Sequence, residues 1–143
     1  MLISKLDTSR IQTYGAIEYF FSNNYTCAVT LAGAADEVFG TLLKASGKQS
    51  SFDFLYDWYK QMFKVKITKK KFSCEIANRA RNWLKHAEED ADSQYDILEQ
   101  DGILMLMRAV QSYYKLTKMH TEQMVRFKQY IDINPEKISA LFS

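Results

Sequence analysis

Proline is nearly absent from this chain: there is one in 143 residues, with only five glycines. That scarcity argues against a loop-rich all-β domain and favours long helices. There are two cysteines, Cys27 and Cys74, far apart and in no Cys-x-x-Cys pair, so a structural zinc site is not expected. The thiols read as the reduced cysteines of a cytoplasmic protein. No basic start followed by an apolar run and a small-residue cleavage site marks a leader. No run approaches the roughly 18 apolar residues of a membrane span, so no membrane partner is expected. Histidines are also few: His86 and His120. The residues three before them are Trp83 and Thr117, so neither completes the Glu-x-x-His pair of a di-iron bundle. No Gly-rich phosphate loop is present, and no metal or cofactor is expected.

What is present points to a packed helical core. The hydrophobic share is 47% and the aromatic share 14%, too high for a disordered chain. A first helix is expected from a cap at Asp7 or Thr8, with Ile11, Tyr14, Ile17, Phe20 and Phe21 at helical spacing. A longer one, "NNYTCAVTLAGAADEVFGTLLKASG", has a wide apolar face, small residues for close packing at 32–35, and Gly47 as its stop. Phe54, Leu55, Trp58, Tyr59 and Met62 mark a third. "KVKITKKKF" lacks a helical period and reads as a loop or extended connector. Ser73 then caps a helix carrying Ile76, Ala80, Trp83, Leu84 and Ala87. "EEDADSQYD" is a second connector. Helices follow from about 98 to 118 and from about 121 to 130, and Pro135 opens a last short one with Asn134 as its cap. No internal repeat is found. The expectation is one all-α helical bundle over residues 1–143.

Charge is unevenly placed. Between Lys60 and Lys85 stand Lys60, Lys64, Lys66, Lys69, Lys70, Lys71, Arg79, Arg81 and Lys85, against Glu75 alone. Glu88, Glu89, Asp90, Asp92, Asp96, Glu99 and Asp101 follow with no base among them. The net charge of +2 conceals this split. A local basic block attracts phosphate backbones, which makes Lys69, Lys70, Lys71, Arg79 and Lys85 candidate RNA contacts. The plainer alternative is a solvated surface whose two signs offset each other.

The stretch "RNWLKH" lies at the end of that block. Cutting RNA without a metal needs a base for the 2′-hydroxyl proton and a cation for the crowded phosphate. A histidine, with an ordinary pKa near 6.5, suits the first task. An arginine fork suits the second. Arg81, Asn82 and His86 supply a cation, an orienting amide and a base on one expected helix. Asn82 and His86, four apart, share a face, while Arg81 lies about 140° round from His86 on an ideal helix. That angle argues for a second protomer completing the site.

"RNWLKH" resembles the Arg-x4-6-His motif of the HEPN superfamily, including a polar residue directly after the arginine. The helix "CAVTLAGAADEVFGTLL" is similar to HEPN helices in which an alanine-rich run precedes an acidic residue, and "RAVQSYYKLT" is similar to a late helix of uncharacterised bacterial HEPN-like proteins. The resemblance spans about 10–127. It implies a small all-α bundle and a metal-independent endoribonuclease acting as a homodimer. Within it Arg81 is the phosphate ligand, Asn82 the orienting residue and His86 the general base. Asp36 or Glu37 matches the acidic helix position. The motif continues here as "AEED", where active members often carry glycine or an aromatic residue. The alternative reading is a non-catalytic module that binds a nucleotide or an unidentified protein partner, with the motif making structural hydrogen bonds. His120 receives no role.

Overall fold

The computed structural model describes residues 1–86 and 92–143, and these form an all-helical bundle with no strand among them. The helices are α1 (Lys5–Phe21), α2 (Tyr25–Ala45), α3 (Ser51–Phe63), α4 (Lys69–Phe72), α5 (Arg79–Lys85), α6 (Glu99–Thr117), α7 (Glu122–Ile133) and α8 (Pro135–Ser139). A π-helical segment, Ser73–Ala77, joins α4 to α5.

Helices α1, α2 and α6 build the core. Ala28, Val29, Ala32, Ala35, Phe39 and Leu43 of α2 are fully buried, as are Ile103, Leu106 and Ala109 of α6. By length and composition α2 is apolar enough to cross a bilayer. Here its apolar stripe is the centre of the bundle. Helix α1 departs from the expected face. Its cap is Ser4, whose hydroxyl accepts from the Asp7 N–H at 3.0 Å. Its buried side is Ser9, Thr13, Ala16, Ile17 and Phe20, while Ile11 and Tyr14 stay exposed. Small residues are chosen there because they let α1 lie close to α2: a β-carbon at Gly15 would come within 3.2 Å of Leu31.

Helix α2 stops at Ser46, and Gly47 follows at φ 72°. Only glycine enters that conformation without a Cβ penalty, so it ends the helix as expected. The connector expected at 64–72 is only partly irregular. Thr68 caps α4 through the Lys71 N–H at 3.2 Å, so the cap lies five residues before Ser73 and the helix begins at Lys69. It also does not continue in one phase, because the π segment intervenes and Asn78 breaks the backbone at φ −123°. Helix α6 starts where Asp101 accepts from the Leu98 N–H at 2.9 Å. The last short helix does open on Pro135, but Asn134 turns its amide back to the Tyr130 carbonyl at 2.8 Å instead of capping forward.

A buried ion pair crosses the bundle. The Arg108 guanidinium donates to Asp36 at 2.8 Å, to the Ser51 hydroxyl at 3.2 Å, to the Ala77 carbonyl at 3.0 Å and to the Asn78 side chain at 2.8 Å. Asp36 also accepts from Ser51 at 2.7 Å and from Ser112 at 3.3 Å. Both charged side chains are almost wholly buried, 7% and 5% exposed. Burial pulls the Arg108 pKa down and the Asp36 charge opposes it. The network ties α2, α3, α6 and the end of the π segment into one unit. A second tie closes the C-terminal end. Lys137 of α8 reaches both Glu99 oxygens at 2.7 Å, and the Tyr130 hydroxyl donates to the same carboxylate.

Two stability experiments follow. Asp36→Ala leaves Arg108 charged and uncompensated in the core, and should cost about 3–5 kcal/mol in urea unfolding. Burial raises the Glu99 pKa, but the hydrogen bonds from Lys137 and Tyr130 outweigh it, so the net shift is downward. A lowered carboxylate stabilises the fold above its unfolded value of about 4.3 and loses that contribution as pH falls through the folded value. Glu99→Gln should therefore flatten the stability–pH curve on the acid side of about pH 4.3, and a slope equal to the parent's would refute this.

Candidate functional site

Helix α5 carries the motif and packs against α2 through Ala80, which is 6% exposed. Its short length follows from its ends. Asn78 is non-helical before it, and His86 leaves the helix at φ −115°, ψ 71°. Behind α5 the chain is held by Trp83, which stacks on Tyr95 with ring centroids 5.8 Å apart and donates to the Ser93 hydroxyl at 2.8 Å.

Arg81 is the best-fixed member of the motif. Its stem lies across α2 at Gly33, where an added β-carbon would stand 2.6 Å from the arginine Cδ. Gly33 is needed for this close approach, not for any turn. The guanidinium ends in an ion pair with Glu37, and Lys85 reaches the same glutamate oxygen at 3.6 Å. Arg81 is thus joined to the acidic position of the alanine-rich helix, 44 residues earlier in the chain. The Arg81 charge is the main reason the Glu37 carboxyl titrates below its usual range, with partial burial opposing. Asp36, the neighbouring candidate, faces inward and belongs to the buried network.

Asn82 is half-buried, and its carbonyl accepts from the His86 N–H at 3.0 Å. The His86 side chain is exposed and has no hydrogen-bond partner among the described residues. Because His86 sits outside the helix, the ideal-helix angle between it and Arg81 does not describe its direction. The expected continuation at 87–91, including Ala87 and the acidic residues Glu88, Glu89 and Asp90, lies outside the described residues.

The candidate RNA contacts divide into two kinds. Lys70 and Lys71 are exposed, with no ionic partner among the described residues. The others are engaged. Lys69 pairs with Asp53 at 3.1 Å, Arg79 lies 5.3 Å over the Tyr95 ring, and Lys85 shares Glu37. Lys44, unremarked in the sequence, pairs with Asp53 at 3.7 Å and lines a cleft of about 270 Å³ with Glu37, Asn78, Arg81 and Arg108. A second cleft of about 230 Å³ lies on the other side, between Thr30, Ala34, Glu37, Arg81, Leu84 and Lys85. Arg81 and Glu37 line both. Among the described residues no three His, Cys, Asp or Glu side chains cluster closely enough to hold a metal ion. His120 lies elsewhere, stacked on Tyr114 with centroids 4.7 Å apart. Compared with known protein families, with proteins of curated function and with solved structures, the chain matches none.

The position of Arg81 depends on a missing side chain, which can be tested. Gly33→Ala should push the arginine stem off α2 and weaken its pair with Glu37. The better helix propensity of alanine, worth about 1 kcal/mol, offsets part of an overpacking cost of about 1–3 kcal/mol, so the net destabilisation should be about 0–2 kcal/mol. The Arg81 Nε–H resonance reports the displacement, and an unchanged resonance would show that Gly33 does not set its place.

Proposed function

We propose that this protein is a metal-independent endoribonuclease of HEPN type that acts as a homodimer. The observation that carries this reading is the meeting of Arg81 with Glu37 beside a cleft, on a helix followed by His86, which is exposed and has no hydrogen-bond partner among the described residues. A ribonuclease of this kind needs a fixed guanidinium and a base free to meet solvent and substrate. Arg81 is the first and His86 the second.

The chemistry balances without a further reagent. His86 removes the 2′-hydroxyl proton, and the 2′-oxygen attacks the adjacent phosphorus. Arg81 bears the negative charge that builds on the phosphate oxygens. The bond to the 5′-oxygen breaks and that oxygen takes up the proton that His86 removed, which restores the base. The products are a 2′,3′-cyclic phosphate and a 5′-hydroxyl. An apolar surface for the second protomer is available on α3. Phe54, Met62 and Phe63 are 45%, 58% and 42% exposed. Beside them runs a groove of about 540 Å³ lined by Leu55, Trp58, Leu104, Met107, Leu141 and Phe142. Exposed apolar patches of this kind mark association sites.

One observation favours the non-catalytic reading: Arg81 is already paired, as it would be in a structural network. The two readings part on a pair of variants. As a ribonuclease, the protein should cut RNA in EDTA, leave cyclic phosphate ends, and scatter light as a dimer at micromolar concentration. His86→Ala should abolish cutting with little change in melting, since an exposed side chain contributes little to packing. Arg81→Lys should lose most activity because lysine lacks the fork. If no preparation cuts RNA and His86→Ala costs about 1–3 kcal/mol, the motif is architecture.

A further inference from the structure

Arg81 and Glu37 are unequal partners. The arginine side chain is 13% exposed, the glutamate 59%. The arginine stem is seated on the bare backbone of Gly33, so packing sets its position with or without the carboxylate. Glu37 sits on the outer side of α2, where its carboxylate is open to water. Its Oε2 is also where Lys85 arrives, at 3.6 Å. One carboxylate oxygen therefore marks the point where two cations converge, which is how a phosphate oxygen is bound.

The surroundings extend this pattern. Glu37 walls both clefts, the one containing Lys44 and the one containing Lys85. Once Glu37 is withdrawn, Arg81 and Lys85 lose the carboxylate they share, Lys44 keeps its pair with Asp53 at 3.7 Å, and Asp36 in the same lining is already neutralised by Arg108. A ligand with several phosphates in a row suits cations on both sides of Arg81 better than a lone carboxylate does.

From this we infer that Glu37 occupies the seat of a substrate phosphate, and that a phosphodiester enters by displacing its carboxylate from Arg81 and Lys85. The inference rests on the reading of Arg81 as a phosphate ligand. It makes Glu37 a competitor built into the protein, which holds the free enzyme in a closed form and lowers its apparent affinity by the fraction of time the seat is filled.

The test uses a fluorescent single-stranded RNA decamer, 2′-O-methylated throughout so that it cannot be cut, and full-length protein at fixed salt. Glu37→Gln and Glu37→Ala should each bind it roughly 3–10-fold more tightly than the parent. Adding Arg81→Ala to Glu37→Gln should erase the gain. Glu75→Gln removes one exposed carboxylate from the same basic region, and should stay within about twofold of the parent, since a general charge effect there is screened by salt. Circular dichroism melts confirm that each variant folds. No gain for Glu37→Gln, a gain equalled by Glu75→Gln, or a gain that survives Arg81→Ala overturns the inference. Cutting of unmodified RNA separates the two claims. If the parent cuts but Glu37→Gln binds no better, the inference fails and the ribonuclease stands. If no protein cuts but the Arg81-dependent gain appears, the phosphate seat stands and the ribonuclease reading fails.

Discussion

The Asp36–Arg108 pair joins residues 72 apart in sequence and lies almost entirely out of water. Two such charges are costly to bury and are tolerated only when their remaining hydrogen-bonding capacity is met. Here Ser51, Ser112, Asn78 and the Ala77 carbonyl meet it. The pair therefore does more than connect α2 to α6. By requiring Ala77 and Asn78 at a fixed place, it sets where the π segment ends and where α5 begins. The position of Arg81 beside α2 inherits that constraint.

Two adjacent acids on one helix divide the work. Successive residues on an α-helix point about 100° apart. Asp36 turns inward and completes the core network, while Glu37 turns outward and meets the motif arginine. Each acid has its own arginine, and the two ion pairs lie at different depths of one contact between helices. The two are still coupled, because the Arg81 charge helps to lower the Arg108 pKa.

Much of the helical order was legible from periodicity and punctuation. Gly47, Pro135 and the apolar stripes of α2 and α6 behave as their spacing implies. The face of α1 was not legible, because small polar residues such as Ser9 and Thr13 are buried for close packing and carry no hydrophobic signal. The core network was also missed, although it left a trace. Asp36 interrupts "AGAADEVFG" and Arg108 interrupts "GILMLMRAV", so each of two apolar helices carries one charge within its buried stripe. Opposite charges so placed invite pairing. The motif residues were readable as types, but their neighbours were not. Gly33 lies in the small-residue run at 32–35 that the sequence marks for close packing, but nothing local names Arg81 as what packs there, and Lys44 reaches the site only through tertiary packing.

The π segment explains why the helix before Lys85 defeated a single-period reading. Phe72 and Ala77 are both buried although they are five apart, and Ala80 follows at three. A uniform α-helix would place residues 72 and 76 on one side, yet Ile76 is only half-covered. A wide turn holds one residue more than an α turn, which advances everything downstream by about 100°. That single extra residue is a phase shifter. It lets one face of the chain seat Phe72 among the rings of Phe52, Tyr56 and Tyr59 and then, a turn later, hand a different face to α2. Removing it would misdirect the chain on one side or the other: either those rings would lose Phe72, or α5 would turn its arginine toward the solvent.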